Sequence, residues 1–444
     1  MARCFVRVGF GKTDVSPPPG GGDMDLRVLG FWDGRALRYG PVHDPLCARA
    51  AVFAAGDDAV CLVSVDMICD GVGFGALARE RIRRGLGLPA DRVMVACTHA
   101  HTTPDMAPFS DHAVSPRYVE FVADGIAEAA RQAMASLQPC ALSLGEAQLA
   151  GVALNRTAAY GGSAVQALSP QTRQRDLALD ETLRAASART ESGAEAGVMV
   201  NFACHGVCVQ AQPMISADYP GFAMRRLEER GAGVALFTNG ACGDADPTRM
   251  GAMQDLEWVG GRVAEAAANV CASSMTPVRG ERVGGSRRSI LLPRRPMGDV
   301  AELERRWARL AAEAAATAQR PDRNHPERTP HHQLFWAREA LTLARMPQQI
   351  PVELQALEIG DWLLLGVPAE LAGALARDMR AAARRHRLWL IGYANGYIGY
   401  AVPRSFFDVK GNYETQPGIW SRLAPGAGEQ LRDAAVEFIR DLEK

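Results

Sequence analysis

The sequence has no apolar run long enough to cross a membrane, and its N-terminus lacks the uninterrupted apolar stretch of a secretion signal. Its ten cysteines include no Cys-x-x-Cys pair, and several lie inside apolar runs. That pattern is typical of reduced, buried thiols rather than of a disulfide framework. These absences predict a cytoplasmic protein without stable membrane anchoring.

Lysine is scarce, since it occurs only at positions 12, 410 and 444 and arginine supplies nearly all of the basic charge. The net charge is −1, and no basic stretch alternates with aromatic residues. Nucleic acid is therefore not expected as a partner. The 444 residues, of which 48% are hydrophobic and 22% are charged, are typical of a globular protein with a large core.

Predicted strands and helices alternate along much of the chain. Apolar runs predict strands at 5–10, 47–54, 60–66, 92–98, 197–204, 234–238, 352–357, 362–367 and 388–393. Helical spacing predicts helices at about 75–84, 116–134, 301–318 and 369–385, with another helix after 218–221. We expect loops at 150–175 and at 320–332, where His325, His331 and His332 lie among charges and prolines.

This order of elements predicts an α/β fold, with a mixed β-sheet core, flanking helices and functional groups in loops that follow strands. Candidate site residues spread from position 99 to 413. We therefore expect one composite domain over residues 1–444, with a charged, lid-like or surface segment at about 296–350.

Histidine is rare, and three of the nine histidines follow predicted strands. His99 and His101 come directly after strand 92–98, and His205 comes after strand 197–204. Residues i and i+2 of a strand point to the same side, so both imidazoles of the pair can face one metal or one substrate. Because neutral imidazole is a common zinc ligand, the pattern favours a metal site.

Nine short segments extend this pattern along nearly the whole chain: Asp44–Ala50, Ser64–Asp66, Thr98–His101, Asn155–Thr157, Asn201–His205, Asn239–Asp244, Pro368–Glu370, Asn395–Tyr400 and Tyr413–Glu414. In this order they resemble the N-terminal zinc amidase domain of the neutral (neutral/alkaline non-lysosomal) ceramidase family. Each segment alone is a weak signal, whereas nine in the family's order are specific.

The resemblance implies a Zn²⁺ site with the ligands His99, His205, Glu370 and Tyr400. His101 is then free to hydrogen-bond the oxyanion of the reaction, and Tyr400 is also a catalytic candidate. The resemblance further implies a substrate pocket with Arg156, Tyr413 and Tyr397 in its wall.

Each of these residues has a structural alternative. Glu370 lies at the start of a predicted helix, where acidic residues are favoured anyway. Arg156 can pair with a neighbouring carboxylate, and Tyr413 can be an exposed turn residue. Tyr397 and Tyr400 lie three residues apart around Gly399, so the choice of the metal-side tyrosine stays open.

The chain departs from the family pattern in three places. Where the ceramidases carry a catalytic serine in a Gly-Asp-x-Ser-Pro context, this chain has Asp246 within Gly243–Pro247. Thr103–Asp105 replaces a Gly-Pro-Gly stretch after the histidine pair. The chain also has no room for the family's C-terminal immunoglobulin-like domain. These departures argue against ceramide itself and leave the predicted metal ligands unchanged.

The sequence therefore predicts a zinc-dependent amidohydrolase that cleaves a small or amphiphilic N-acyl compound with metal-activated water. Asp246 or Glu370 would pass a proton to the leaving amine. Alternatives are an ester or lactone hydrolase at the same zinc site, a thiol nucleophile at Cys204 or Cys208, and a non-catalytic ligand-binding homologue. The acyl and amine parts of the substrate, and the formation of homo-oligomers, stay open.

Overall fold

The computed structural model describes residues 6–18, 24, 26–28, 37–38, 40–107, 113–210, 212, 214–317 and 330–444. The predicted loop histidine His325 lies outside these residues. No helix in the described part of the chain is both long enough and apolar enough to cross a membrane.

Nineteen strands form the described β-structure. They are β1 (Val6–Asp14), β2 (Arg27–Val28), β3 (Leu37–Arg38), β4 (Cys47–Ala55), β5 (Asp58–Val65), β6 (Val93–Cys97), β7 (Gln138–Gln148), β8 (Ala153–Asn155), β9 (Thr182–Thr190), β10 (Glu195–Phe202), β11 (Val234–Asn239), β12 (Ala245–Pro247), β13 (Thr276–Pro277), β14 (Val283–Pro293), β15 (Gln349–Ile359), β16 (Trp362–Gly366), β17 (Glu370–Leu371), β18 (Arg387–Ile391) and β19 (Tyr400–Ala401).

Eleven α-helices accompany these strands within the described ranges. They are α1 (Phe74–Leu86), α2 (Pro116–Ala135), α3 (Arg156–Tyr160), α4 (Gly162–Gln166), α5 (Pro170–Asp176), α6 (Asp218–Glu229), α7 (Met253–Ser273), α8 (Val300–Ala316), α9 (Pro330–Arg345), α10 (Gly373–Ala382) and α11 (Ala427–Leu442).

The largest sheet has the order β11-β10-β9-β7-β1-β4-β5-β6, with β13 paired to β7. Its β10–β11 and β5–β6 pairs are parallel, and the other neighbours on this path are antiparallel. The mixed sheet and flanking helices confirm the predicted fold class.

This sheet curls so strongly that the two ends of the strand order meet. Ser64 on β5 donates a hydrogen bond to the carbonyl oxygen of Phe237 on β11. At the end of β11, Asn239 Nδ2 donates to the carbonyl oxygen of Thr98, 3.1 Å away, just after β6. The curl therefore brings the loops after β6 and β10, which carry the candidate histidines, to one place.

Four layers bury the core. A second sheet, β14-β15-β16-β18, packs against the concave face of the large sheet, and Trp362 lies fully buried between them. Helices α1, α2, α6 and α7 cover the other face of the large sheet. Helices α10 and α11 cover the outer face of the second sheet. The buried apolar surface of these layers supplies the main stabilising free energy of the fold.

Three sequence predictions about local structure are wrong. Segment 150–175 is not a loop, because β8, α3 and α4 lie within it and α5 begins there. His331 and His332 lie in the first turn of α9 rather than in a loop. The helix predicted from Ala369 begins only at Gly373, because Glu370–Leu371 pairs with Tyr400–Ala401 as strands β17 and β19.

Strand β1 contacts helix α2 through glycine. Val8 and Phe10 face the second sheet, whereas Gly9 and Gly11 alternate with them and face α2. A Cβ atom added at Gly11 would lie 2.1 Å from the carbonyl oxygen of Ala129, which is too close for any side chain. Glycine therefore sets the distance between strand and helix.

We predict that Gly11→Ala lowers the free energy of unfolding by about 1–3 kcal/mol or more, because strand and helix must separate. The matched control is Gly85→Ala in α1, where an added Cβ has nothing within 4 Å. The control should stabilise the protein by about 0.4–1 kcal/mol. Denaturant unfolding of both variants measures the difference, and equal midpoints would contradict the close approach.

Candidate active site

His99 lies in the loop after β6 and not on the strand itself. The strand ends at Cys97, and His99 has a φ of 64°, which is the left-handed region. Its backbone nitrogen donates to the carbonyl of Met67 at 3.0 Å, and its ring stacks on Tyr393 with the ring centroids 4.0 Å apart. The prediction that a shared strand face aligns the histidine pair is therefore wrong, although the two rings do converge.

The carbonyl oxygen of Ile68 lies 2.6 Å from His99 Nδ1. Since a carbonyl can only accept, Nδ1 carries the proton and Nε2 presents its lone pair. His205, three residues beyond β10, is held in the same way. Its backbone nitrogen and its Nδ1 both donate to the carbonyl oxygen of Ala245, at 2.9 and 3.1 Å. Both Nε2 atoms are thus available as ligands.

His101 joins the two other histidines. Its backbone nitrogen donates to the carbonyl of Gly206 at 2.9 Å, which ties the loop after β6 to the loop after β10. His101 Nε2 lies 3.0 Å from His99 Nε2. One ring nitrogen from each of His99, His101 and His205 lies within 4.8 Å of the others, and all three residues are buried.

Glu370 completes this cluster with a carboxylate that is only 3% exposed. Its Oε2 lies 3.1 Å from His205 Nε2 and 3.4 Å from His99 Nε2. Its Oε1 accepts a hydrogen bond from the Tyr397 hydroxyl. The β17–β19 pairing places Glu370 here, directly opposite Tyr400.

These donors fit a divalent metal ion. Imidazole nitrogens and one carboxylate oxygen are the ligands that catalytic zinc sites use, and the Nδ1 hydrogen bonds of His99 and His205 provide the usual outer contacts. Burial lowers the pKa of His99, and burial together with His99 and His205 lowers the pKa of His101 well below its usual range. Both rings are therefore neutral, as metal ligation requires.

Two other groups of the cluster have shifted pKa values. Burial opposes the protonation of His205, but Cys242 and Glu370 raise its pKa to about 10. A metal ion bound to Nε2 would replace the proton that this nitrogen otherwise carries. Burial also disfavours the Glu370 carboxylate, but His99 and His205 hold its pKa well below the usual range. Glu370 is thus the anionic member of the cluster.

Tyr400 lies beside the cluster with its hydroxyl directed at Arg156. Arg156 Nη2 donates to Tyr400 Oη at 2.7 Å, and the guanidinium carbon lies 5.3 Å from the centre of the tyrosine ring. Burial raises the pKa of Tyr400 well above its usual value, although Arg156 opposes this. Tyr397 instead contacts Glu370 and is not among the pocket-lining residues, so its position does not support the predicted substrate contact.

Arg156 is held by a network of acceptors. Its Nε donates to Glu414 Oε1 at 2.5 Å, its Nη1 to Asp246 Oδ1 at 3.1 Å, and its Nη2 also to the carbonyl of Gly243 at 2.8 Å. Strand β12 carries Asp246 and pairs with β8, after which Arg156 follows. The structural alternative for Arg156, pairing with a carboxylate, is therefore what the structure shows.

A pocket of about 480 Å³ opens beside this network. Its wall contains six of the residues that the sequence singled out, His101, Arg156, His205, Asp246, Tyr400 and Tyr413. Tyr413 is half-buried in this wall, with its ring 5.2 Å from the guanidinium carbon of Arg156. His99 and Glu370 lie behind the wall. The structure thus places the predicted site residues in the wall of this pocket or, for His99, Glu370 and Tyr397, behind it.

Sequence reasoning missed three residues of the site. Tyr393 stacks on His99, and its hydroxyl lies 3.5 Å from Glu370 Oε2. Cys242 Sγ lies 3.1 Å from that hydroxyl, and Glu414 holds Arg156. Cys242 and Glu414 lie inside segments that resemble the family. Tyr393 follows strand β18 as His99 follows β6, but an aromatic residue at a strand end is more often part of a core.

Comparison with known proteins settles the family. The model of the neutral/alkaline non-lysosomal ceramidase N-terminal domain matches residues 6–288, which is more than half of the chain. The chain belongs to the neutral ceramidase family. The neutral ceramidase of Pseudomonas aeruginosa is 24% identical over 485 residues, which cover 94% of this chain and 70% of that protein.

Solved ceramidase structures share the fold. The crystal structure of the Pseudomonas aeruginosa neutral ceramidase matches with a TM-score of 0.75 at 21% identity, and a ceramidase complexed with C2 matches with the same score at 20% identity. Each comparison covers 99% of this chain and 75% of the other. The ceramidase family membership establishes a hydrolase fold, and the histidine cluster is a candidate metal centre within it.

We predict about one zinc ion per chain, and loss of most of this metal in His99→Ala and His205→Ala, because each mutation removes a buried ligand. His43→Ala is the matched control, since His43 is half-exposed and bonds Asp44 instead. Elemental analysis of the purified variants measures the metal content. Full occupancy in either site variant would refute these ligands.

His101→Ala should keep the metal and lose about 10²–10³-fold in turnover, because His101 is predicted to donate to the oxyanion. Metal content and turnover are measured on the same preparation. His101 Nε2 lies 3.0 Å from His99 Nε2, so it is close enough to bind the same metal ion. If the His101→Ala protein loses the metal, His101 is a metal ligand, and the prediction that it only donates to the oxyanion is incorrect.

Proposed function

We propose that the protein is a zinc-dependent hydrolase that cleaves the amide bond of a small or amphiphilic N-acyl compound with water as the nucleophile. The convergence of His99, His205 and Glu370 at a pocket whose wall also contains Asp246 carries this proposal. Family membership supports it, because the relative from Pseudomonas aeruginosa is named as a ceramidase and ceramide is an N-acyl lipid. We further propose that residues 1–444 form one composite domain around this site.

A zinc ion held by these ligands supplies Lewis acidity to the scissile carbonyl and to the attacking water. Tyr400 and His101 are proposed to stabilise the negative charge that develops on the carbonyl oxygen. Tyr400 accepts from Arg156, so its own hydroxyl proton remains available to donate. Because burial keeps the phenol protonated, this donor persists at neutral pH.

Asp246 is the group that we propose to move the proton from water to the leaving amine. Only its Oδ1 bonds Arg156, and its Oδ2 forms no hydrogen bond within the described residues. Glu370 is less suitable, because both of its oxygens are engaged by Tyr397 and by the histidines. Asp105 does not line the pocket and accepts from the backbone of Ala107.

The thiol hypothesis has little support. Cys204 and Cys208 are fully buried, and burial raises the pKa of both thiols far above neutrality. A thiolate nucleophile is therefore not expected at either position.

Ester or lactone hydrolysis shares the same tetrahedral chemistry. Rates for matched amide and ester substrates at equal zinc loading distinguish ester or lactone hydrolysis from amide hydrolysis. Turnover that chelation abolishes would exclude the non-catalytic homologue.

We predict that Asp246→Asn keeps the fold and the metal while turnover falls about 10²-fold or more, because the amide retains the bond to Arg156 but cannot accept the proton. The matched control is Asp58→Asn, which changes an exposed partner of Arg92. Steady-state kinetics on an N-acyl substrate, with metal content measured in parallel, tests this. Near-full activity of Asp246→Asn would show that another residue transfers the proton.

Long-chain ceramide should be a poor substrate, because the ion-paired Asp246 carboxylate would lose its remaining hydration beside a long acyl chain. Competition between ceramide and short polar N-acyl compounds in one assay measures the preference. Asp246→Ser should not create an efficient ceramidase. Faster turnover of long-chain ceramide would contradict this role of Asp246.

A further inference from the structure

We infer that the substrate is a short-chain N-acyl amino acid, whose carboxylate is bound at the pocket mouth by Lys410 and Asn412. The inference rests on the proposed function and specifies its substrate class. Three features of the pocket carry it: the chemistry of the lining, the charges in the wall and an unsatisfied donor.

The lining offers few aliphatic side chains to a long hydrocarbon chain. Val207 and Met250 are the only aliphatic side chains among the described residues that line the pocket, and most of the others are polar or tyrosine. A site for a long acyl chain needs a continuous apolar wall, because burial of methylene groups supplies its binding energy. The volume of about 480 Å³ is within the usual range for small-molecule pockets. A short acyl group on a polar amine fits this lining and this volume.

Arg156 has little capacity left to bind an anionic substrate group. Both pocket carboxylates, Asp246 and Glu414, are ion-paired with it, and a phenol and a backbone carbonyl accept from its Nη2, which leaves a single N–H group on Nη1. Lys410 is the second cation of the wall, and it forms no ion pair within 4 Å among the described residues. Lys410 is therefore the positive charge that a substrate anion can reach.

The backbone holds Lys410 in place while its side chain is exposed. Val409 and Asn412 on either side are buried, and the nitrogen of Asn412 donates to the carbonyl of Val409 at 3.1 Å. Gly411 closes this turn with a φ of 82°, a conformation that glycine adopts at no steric cost. The turn directs an exposed ammonium group to the pocket from a fixed backbone.

Asn412 adds a donor beside this lysine. Its Oδ1 accepts from Thr157 Oγ1 at 3.1 Å, whereas its Nδ2 is buried with no acceptor among the described residues. A buried donor without an acceptor is costly, and a bound carboxylate would satisfy it. Asn412 also lines the pocket. An ammonium and an amide donor on one turn together match the two oxygens of a carboxylate.

The test compares a panel of N-acetyl amino acids with the corresponding carboxamides, which differ only in the charged group. For the wild-type protein we expect kcat/KM to be about tenfold higher for the carboxylates. Lys410→Met should remove most of this preference through KM, with kcat nearly unchanged. The matched control is Lys444→Met, an exposed lysine that bonds Asp441, and it should behave as the wild type.

Asn412→Asp gives a second, independent variant. It keeps the acceptor for Thr157 but replaces the Nδ2 donor by a negatively charged oxygen, so the carboxylates should lose affinity while the carboxamides change little. Calorimetric binding of the same panel to the Asp246→Asn protein measures affinity without turnover. Circular dichroism checks that both variants are folded.

Hydrolysis without a preference for carboxylates, or a preference that survives in Lys410→Met, would overturn the inference and leave the proposed function intact. Faster hydrolysis of N-palmitoyl than of N-acetyl amino acids would also overturn it. Binding that depends on Lys410 without hydrolysis of any N-acyl compound would support the recognition site and overturn the proposed function. Absence of both binding and turnover across the panel would overturn both.

Discussion

Two backbone carbonyl groups determine the geometry of the candidate metal centre. The carbonyl of Ile68 orients His99, and the carbonyl of Ala245 orients His205, each by accepting from the ring Nδ1. The carbonyl of Ile68 lies just after β5, and the carbonyl of Ala245 belongs to strand β12. Because both are held by the fold, the Nε2 lone pairs point to the site before any ligand binds. A site organised in this way spends little free energy on ordering its side chains when it binds a cation.

Arg156 organises the other half of the site. It compensates the charges of Asp246 and Glu414 in a wall that is largely removed from water, where an unpaired carboxylate would be costly. The residue at the serine position of the family pattern is therefore an ion-paired acid in this chain. Its partner Arg156 follows strand β8, which pairs with β12, so the charge of Asp246 is compensated from the neighbouring strand.

The sequence allowed correct prediction of the strands that are buried on both faces. Strands such as β5 and β11 are continuous apolar runs, which is a local signal. Strand β9 was missed, because its alanines, serine and arginines carry no such run. The two-residue pair β17–β19 was also unpredictable, since each partner becomes a strand only through a segment about thirty residues away. Long-range pairing has no local sequence signal.

The candidate site, like the fold, was only partly predictable from the sequence. Histidines at strand ends indicated the cluster, and the family pattern added Glu370, Tyr400 and Tyr413. The network around Arg156 depends on Glu414 and on the β8–β12 pairing, which no spacing in the sequence indicates. The side-chain directions of Tyr397 and Tyr400 likewise follow from a turn with Gly399 at a φ of 80°. It was therefore easier to predict which residues belong to the site than to predict the contacts between them.

The curl of the large sheet has a consequence for biosynthesis. Strands β6 and β10 lie near opposite ends of the strand order, so the contact between His99 and His205 depends on the curl of the whole sheet. Closing such distant contacts is slow, because chain entropy is lost before the contacts form. Glu370 emerges from the ribosome later still. A nascent chain therefore carries an incomplete set of the proposed ligands, and tight metal binding would require that the large sheet has closed and the second sheet has docked.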